Sequence, residues 1–181
     1  MYNVCEILLD GGSVKEIIRQ KTVCFTGHRL IPIDHLESVK ACTEIQIRRL
    51  ILKHGIRYFG VGGAIGYDTL AAEILFRLRE TDFPHIKVIL VYPFEGFTSR
   101  WNDNQRAAYA RLYPKYDKHV CVTQEASREA YLARDRHLVD NSAYCICYCT
   151  RQSGGTAYTV RYARRKGLSI YNTADYNLDR F

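Results

Sequence analysis

Hydrophobic residues fall into short apolar runs that alternate with segments of helical periodicity. Between the runs, apolar residues recur every three or four positions, as at Leu70, Ile74, Leu75 and Leu78, which predicts amphipathic helices. Continuously apolar strands that alternate with helices are typical of a parallel sheet covered on both faces. The pattern therefore predicts a single Rossmann-like, doubly wound α/β domain with a mostly parallel sheet over residues 21–181. Its six strands are predicted at 22–26, 56–61, 86–92, 119–123, 143–149 and 167–171.

The first 20 residues show no strong pattern. Asp10-Gly11-Gly12-Ser13 is a turn signal within them. We therefore expect residues 1–20 to form an N-terminal arm or a short hairpin appended to the domain.

The composition bears on the compartment of the protein and on the role of its cysteines. No apolar run approaches the length of a membrane span, and the N-terminus lacks a basic-then-apolar export signal, so we expect a cytoplasmic protein with no membrane partner. The seven cysteines lie largely in apolar runs, and their spacing fits neither zinc pairs nor a disulfide framework. Buried free thiols are the better interpretation, and we expect no metal and no cofactor.

The chain carries a formal net charge of +7, which would attract an anionic ligand. Most of its lysines and arginines are spread along the sequence. The one dense cluster is Arg161, Arg164, Arg165 and Lys166, late in a predicted helix. We interpret this cluster as a solvated helix face rather than a nucleic-acid interface.

Polar and glycine residues gather where the predicted strands end. In open parallel sheets, ligands bind beyond the carboxyl ends of the strands. Arg134, in the helix before the last of these turns, could contact a ligand or form a salt bridge. The other candidate site residues follow strands one, two, three and five: Thr26, Gly27, His28 and Arg29; Gly62, Gly63, Gly66 and Asp68; Pro93; and Ser153, Gly154, Gly155 and Thr156.

These residue types suit an anionic ligand. Glycines let backbone amides approach an anion, and the turn 153–156 precedes a helix whose positive end favours phosphate or carboxylate. That turn could equally be a tight connection without a ligand. Arg29 supplies a forked cation. Asp68 could accept hydrogen bonds from a ribose or cap its helix. His28 could donate a hydrogen bond to a ligand, act as an acid or base, or simply be held by the turn.

Two common nucleotide motifs are absent from the sequence. The first strand is followed by GHRLIP rather than GxGxxG, and no glycine turn continues into GK[ST]. Ordinary dinucleotide-dependent dehydrogenase and P-loop chemistry are therefore disfavoured.

Three motifs in order, FTGHR at 25–29, GGAIGYD at 62–68 and SGGT at 153–156, resemble the YpsA-like branch of the SLOG superfamily. The resemblance covers roughly residues 22–173. It implies a bacterial protein with a Rossmann-like fold that binds nucleotides or nucleotide-derived ligands across these turns. Relatives in that superfamily include DNA-processing protein A, which binds single-stranded DNA, and the Lonely Guy phosphoribohydrolases.

The chain departs from the phosphoribohydrolase pattern. Phosphoribohydrolases that resemble Lonely Guy carry a PGGxGTxxE motif, whose glutamate serves catalysis. Here the turn reads SGGTAYTV, with Thr159 and Val160 where a carboxylate would stand, and without the leading proline. Glycosidic cleavage normally needs such a carboxylate. Catalytic residues therefore stay unassigned at this point.

Three functions follow as hypotheses. The first is binding of a nucleotide or nucleotide-derived small molecule, in a regulatory or sensing role. The second is a nucleotide N-glycosidase that uses Asp68 and His28. The third is single-stranded DNA binding, with Trp101, Tyr158 and Tyr162 as stacking residues, a nucleic-acid partner that is not favoured. The sequence leaves a homo-oligomer open.

Overall fold

The computed structural model describes residues 13–175 of the 181-residue chain. A 3-10 turn, Tyr113–Lys115, follows the fourth helix. The strands are β1 (Thr22–Gly27), β2 (Tyr58–Val61), β3 (Lys87–Tyr92), β4 (Lys118–Cys121), β5 (Tyr144–Tyr148) and β6 (Ser169–Asn172). The helices are α1 (Val14–Gln20), α2 (Ile33–His54), α3 (Tyr67–Thr81), α4 (Asp103–Leu112), α5 (Arg128–Asp140) and α6 (Gly155–Arg165).

The six strands form one sheet in the order β4-β3-β2-β1-β5-β6, and each neighbouring pair is parallel. The predicted doubly wound α/β fold is therefore confirmed. Successive strands β1 to β4 extend to one side, and β5 and β6 continue on the other side of β1. The strand order thus reverses between β1 and β5, where Gly27 pairs with Tyr148.

Alternate residues along the strands feed two hydrophobic layers. On the first face, Phe25, Phe59 and Leu90 pack under α2 and α3. On the second face, Cys24 and Cys145 pack with residues of α5 and α6. Buried free thiols were predicted from the spacing of the cysteines, and these two are buried and free.

The segment before the sheet is helical where the structure describes it. Residues 14–20 form α1, with the Ser13 hydroxyl accepting from the Glu16 amide, so a hairpin over these residues is the wrong prediction. Arg19 Nη1 donates to the carbonyl of Ser142 at 3.0 Å, which ties α1 to the end of α5. Residues 1–12, including most of the predicted turn at Asp10, lie outside the described residues.

Glycine ends α2, the longest helix within residues 13–175. Gly55 adopts a left-handed conformation at φ 61°, and its amide donates to the carbonyl of Ile51 at 3.0 Å. The end of the helix at Gly55 directs the chain into β2. The carboxyl ends of β1 and β2 lie at the same edge of the sheet.

Candidate functional site

A cavity of about 750 Å³ lies at the carboxyl ends of the strands, where the strand order reverses. It is bordered by the segment after β1, the start of α3, one side of α5 and the turn into α6. Ligands of open α/β sheets bind at such a switch point. Ten of the fourteen predicted site residues line it: Thr26, Gly27, His28, Arg29, Asp68, Arg134, Ser153, Gly154, Gly155 and Thr156.

Gly62, Gly63, Gly66 and Pro93, the other four, are not among its lining residues. A Cβ on Gly63 would lie 2.6 Å from Leu90 Cδ1, in the core, and one on Gly66 would overlap the backbone of the segment after β1. Gly62 lies behind the Arg134 guanidinium, and Pro93 is buried beside the end of β4. In the structure these residues shape the loops, and direct contact of any of them with a ligand stays a prediction.

The turn into α6 is open on the side of the cavity. Gly154 is its N-cap, with φ 92°, and makes no side-chain capping bond. A Cβ on Gly154 or Gly155 would meet no atom within 4 Å, and the first turn carries no acidic residue. The first amides of an α-helix have no intrahelical acceptor, so those at Gly155 and Thr156 are donors at the positive end of the helix dipole.

Arginines outnumber carboxylates in the lining. Arg29, Arg128 and Arg151 are exposed, and their side chains form no hydrogen bond or ion pair with any part of the chain that the structure describes. The cavity therefore has uncompensated positive charge at its mouth. Its charged lining residues are Arg29, Arg128, Arg134, Arg151 and Arg161 against Asp68 and Asp135.

A buried charge network forms the base of the cavity. Arg134, 9% exposed, donates through Nη1 to the carbonyl of Gly62 at 2.6 Å and lies 3.9 Å from Asp68 Oδ2. Its Nε is 2.8 Å from Asp135 Oδ1, an ion pair without the alignment of a hydrogen bond. Asp135 in turn accepts from the Thr159 hydroxyl at 3.0 Å. The network joins α3, α5 and α6 beneath the cavity.

Burial raises the pKa of Asp68 from 3.8 to about 6. The Arg134 guanidinium and the Ala64 amide, which donates to Oδ2 at 3.2 Å, lower it in part, while the neighbouring Asp135 raises it. Perturbed carboxyl groups in a cleft are common at functional sites. Asp68 does not cap α3: the N-cap is Gly66, and Asp68 lies in the first turn, where its carboxylate holds the loop before the helix through the Ala64 amide.

His28 is held by the loop after β5. The Thr150 amide donates to its Nε2 at 3.0 Å, so the neutral ring carries its proton on Nδ1. Burial lowers the pKa of His28, and the nearby Arg151 guanidinium lowers it further. The structure therefore shows His28 anchoring this loop, which is one of the roles that the sequence left open. Its Nδ1–H remains as a hydrogen-bond donor.

Several lining residues are not among the candidates that the sequence predicts. Arg151 stands two positions before Ser153, so its place in the same turn was a signal that could have found it. Arg161 was assigned to a solvated face, but it lines the cavity and donates to the carbonyl of Gln152 at 2.8 Å. Tyr131 and Tyr158 also line it, together with Arg128 and Asp135. No local motif marks these positions, because α5 reaches the cavity only through the tertiary fold.

Asp140, the last residue of α5, has a structural role. It accepts from the Tyr162 hydroxyl at 3.0 Å and pairs with Lys166 at 2.9 Å.

Across residues 13–175, no three His, Cys, Asp or Glu side chains come together as metal ligands would. Within the same range, no helix combines the length and apolar character that crossing a membrane requires.

Solved structures share this architecture. DNA processing protein A (DprA) from Streptococcus pneumoniae superposes with a TM-score of 0.58 and 15% identity, over 86% of this chain and 50% of that one. The present chain thus spans half the length of that structure. DprA from Helicobacter pylori, described for its single-stranded DNA binding mode, gives a TM-score of 0.58 and 18% identity, over 88% of this chain and 67% of that one. At these identities the likeness establishes the fold alone.

Curated relatives lie in one group of bacterial proteins. UPF0398 protein SERP1017 of Staphylococcus epidermidis is 27% identical over 134 residues, which is 70% of this chain and 71% of the relative. A UPF0398 protein of Levilactobacillus brevis is 35% identical over 74 residues, 41% of this chain and 39% of the relative. The family model YpsA, described as the YspA SLOG family, matches residues 24–179. The resemblance seen in the three motifs is therefore confirmed, and the chain belongs to the YpsA family of SLOG proteins.

Proposed function

We propose that this protein binds a nucleotide or nucleotide-derived anion in the cavity at the switch point, in a regulatory or sensing role. The observation that carries the proposal is an open helix N-terminus that shares one cavity with three exposed arginines, none of which has a side-chain partner within residues 13–175. Backbone amides at Gly155 and Thr156, with Arg151 beside them, suit a phosphate.

The rest of the cavity suits the uncharged part of such a ligand. A volume of about 750 Å³ is within the range of small-molecule and cofactor sites. Tyr131 and Tyr158 present aromatic surface for a base, and the polar groups beneath them suit ribose hydroxyls. A nucleoside monophosphate and an ADP-ribose-like compound are the ligands to test first.

The experiment is a calorimetric titration with nucleoside monophosphates and ADP-ribose, comparing Gly155→Asp with Gly155→Asn. Both side chains extend into open space, and a carboxylate suits a helix N-terminus, so both variants should fold. The aspartate adds a negative charge where the phosphate would lie, and we expect Kd to rise about tenfold or more, since about 1.4 kcal/mol of repulsion suffices. The neutral asparagine should change Kd by less than about threefold.

A second pair of variants tests the arginines. Arg151→Ala removes a cation at the mouth of the cavity, and we expect it to weaken binding about tenfold. Arg57→Ala removes an exposed arginine at the opposite ends of the strands, also without a side-chain partner in the described part of the chain, and should leave Kd unchanged. Absence of binding to every compound, or equal effects of the two variants, would refute the proposal.

Single-stranded DNA binding is a second candidate, favoured by the three exposed arginines and by the fold shared with DprA. Three phosphate contacts predict a slope of about −2 in a plot of log K against log salt for a thymidine 20-mer. Fluorescence anisotropy measures this slope. Affinity that does not vary with salt would remove this candidate, and competition by mononucleotides would indicate that the two ligands share one site.

An N-glycosidase is the remaining alternative, and the raised pKa of Asp68 in the cavity favours it. Against it, both cavity carboxylates lie against Arg134, and the first turn of α6 lacks an acid. Incubation with nucleoside monophosphates and chromatography of the released base tests the reaction. Full activity in Asp68→Ala would remove the catalytic role of that residue.

A further inference from the structure

The second face of the sheet carries a groove that none of the helices within residues 13–175 fills. We define the sheet groove by Tyr58 and Gly60 of β2, Ile89 and Val91 of β3, and Val120 of β4. These alternate strand positions share one face, and the groove has a volume of about 510 Å³. It is separate from the cavity at the carboxyl ends of the strands, and it runs between α1 and α5.

The groove is apolar although part of it is open to water. Ile89 and Val120 are half-buried, and Ile18 of α1, on its border, is 44% exposed. Parallel sheets in α/β proteins are normally covered on both faces. Here α5 covers only part of β2 and β3, where Leu138 sits over Gly60 so closely that a Cβ would lie 2.9 Å from Cδ2. A further segment is needed to complete this layer.

The chain itself offers an occupant of matching chemistry. Described structure begins at Ser13, the N-cap of α1, and α1 forms one wall of the groove, so residues 1–12 join the fold at that wall. Twelve residues can span up to about 40 Å. The segment 4–9 reads VCEILL, four of its six residues being large aliphatics. The family match begins at residue 24, so this segment precedes the matched domain.

Charge also favours this occupant. At the rim of the sheet groove, Arg19 pairs with Glu16 and Lys87 pairs with Asp117. The side chain of Lys118 forms no hydrogen bond or ion pair within residues 13–175, and the segment 4–9 carries Glu6 as an acidic partner for it. Opposite charges at the rim would fix the direction of the segment without being buried.

We propose that residues 4–9 dock in the sheet groove and complete the second face of the sheet. The segment is then a built-in layer of this chain's fold, lying over β2, β3 and β4 between α1 and α5. The proposal does not depend on the ligand of the cavity.

The first test is Leu8→Asp in the full chain, with Asn3→Asp as the matched control. A buried aspartate would expel the segment, and we expect Tm to fall by about 5 °C, from the loss of one buried leucine in a chain of this size. Fluorescence of 1-anilinonaphthalene-8-sulfonate should rise roughly twofold as the groove becomes accessible. The control adds the same charge at a polar position and should change neither reading. Equal responses of the two variants would overturn the proposal.

The second test uses the native Cys5 as a reporter. In a background of Cys121→Ser and Cys149→Ser, Lys118→Cys places a thiol at the groove rim, and Glu73→Cys places one on α3, which packs on the opposite face. Under mild oxidation, the docked segment should form an intrachain disulfide with the rim thiol about tenfold faster than with the control thiol. Equal rates would overturn the proposal. Disulfide-linked dimers would also overturn it, because they would assign the groove to a second copy.

Discussion

Replacing Asp68 by asparagine should stabilise the protein at neutral pH. The carboxyl group is 6% exposed, and burial raises its pKa from 3.8 to about 6 despite the Arg134 guanidinium 3.9 Å away. A carboxyl whose pKa is higher in the folded state favours folding when protonated. Its favourable contribution is complete below pH 3.8 and is lost as pH rises through 6, so ionised Asp68 weakens the fold at pH 7.

The size of the effect follows from the shift in pKa. About two units at 1.36 kcal/mol each give roughly 3 kcal/mol between pH 4 and pH 7. The free energy of unfolding of Asp68→Asn minus that of the wild type should therefore be near zero at pH 4 and reach about 2–3 kcal/mol at pH 7. The amide of Asn can still accept the hydrogen bond from Ala64, which now lies 3.2 Å from the carboxylate.

Urea denaturation of both proteins from pH 4 to pH 8 measures this difference. Subtraction of the two curves isolates Asp68 from the other titrating groups. Glu37→Gln is the matched control, because it neutralises an exposed carboxylate, and its difference should stay within about 0.5 kcal/mol. A flat difference curve for Asp68→Asn, or a variant less stable than the wild type at pH 7, would refute the reasoning.

Two further predictions concern the glycines and the buried arginine. Gly27→Ala should lower the free energy of unfolding by about 3 kcal/mol, because the new Cβ would overlap the buried Tyr67 ring. Gly155→Ala should change it by less than about 0.5 kcal/mol, since its Cβ meets open space. Thermal denaturation compares the two variants, and equal losses of stability would contradict these different roles of the two glycines. Arg134→Met should cost about 3–5 kcal/mol at pH 7 by leaving the buried Asp68 carboxylate without its guanidinium partner, and part of this loss should return at pH 5, where Asp68 is protonated; urea denaturation at both pH values checks it, and a loss independent of pH would contradict it.

The fold was predictable because its signals are local. Each buried strand is a continuous apolar run, and the predicted boundaries of β1, β3 and β5 fall within one residue of those observed. The start of α2 was less accessible. Pro32 is its N-cap, so the helix begins without a side-chain capping bond, and Asp34 lies in the first turn.

The candidate site was only partly predictable. Glycines look alike in sequence whether they avoid a side chain or face a ligand. Gly27 and Gly62 are needed because a Cβ would meet Tyr67 or Arg134, while Gly154 faces open space at φ 92°. Contacts across the fold decide between these cases, and no motif encodes them.

The placement of charge in the cavity argues for a ligand that is negative at one end and neutral at the other. Both carboxylates at the base share the Arg134 guanidinium, so the base keeps a net negative charge at neutral pH. At the mouth, Arg128 and Arg151 have no partner in the described residues and lie with the positive end of α6. An anion at the base would face two carboxylates, and a neutral group at the mouth would leave these cations uncompensated. A phosphate at the mouth with its nucleoside directed to the base satisfies both ends, whereas a compact inorganic anion satisfies only one.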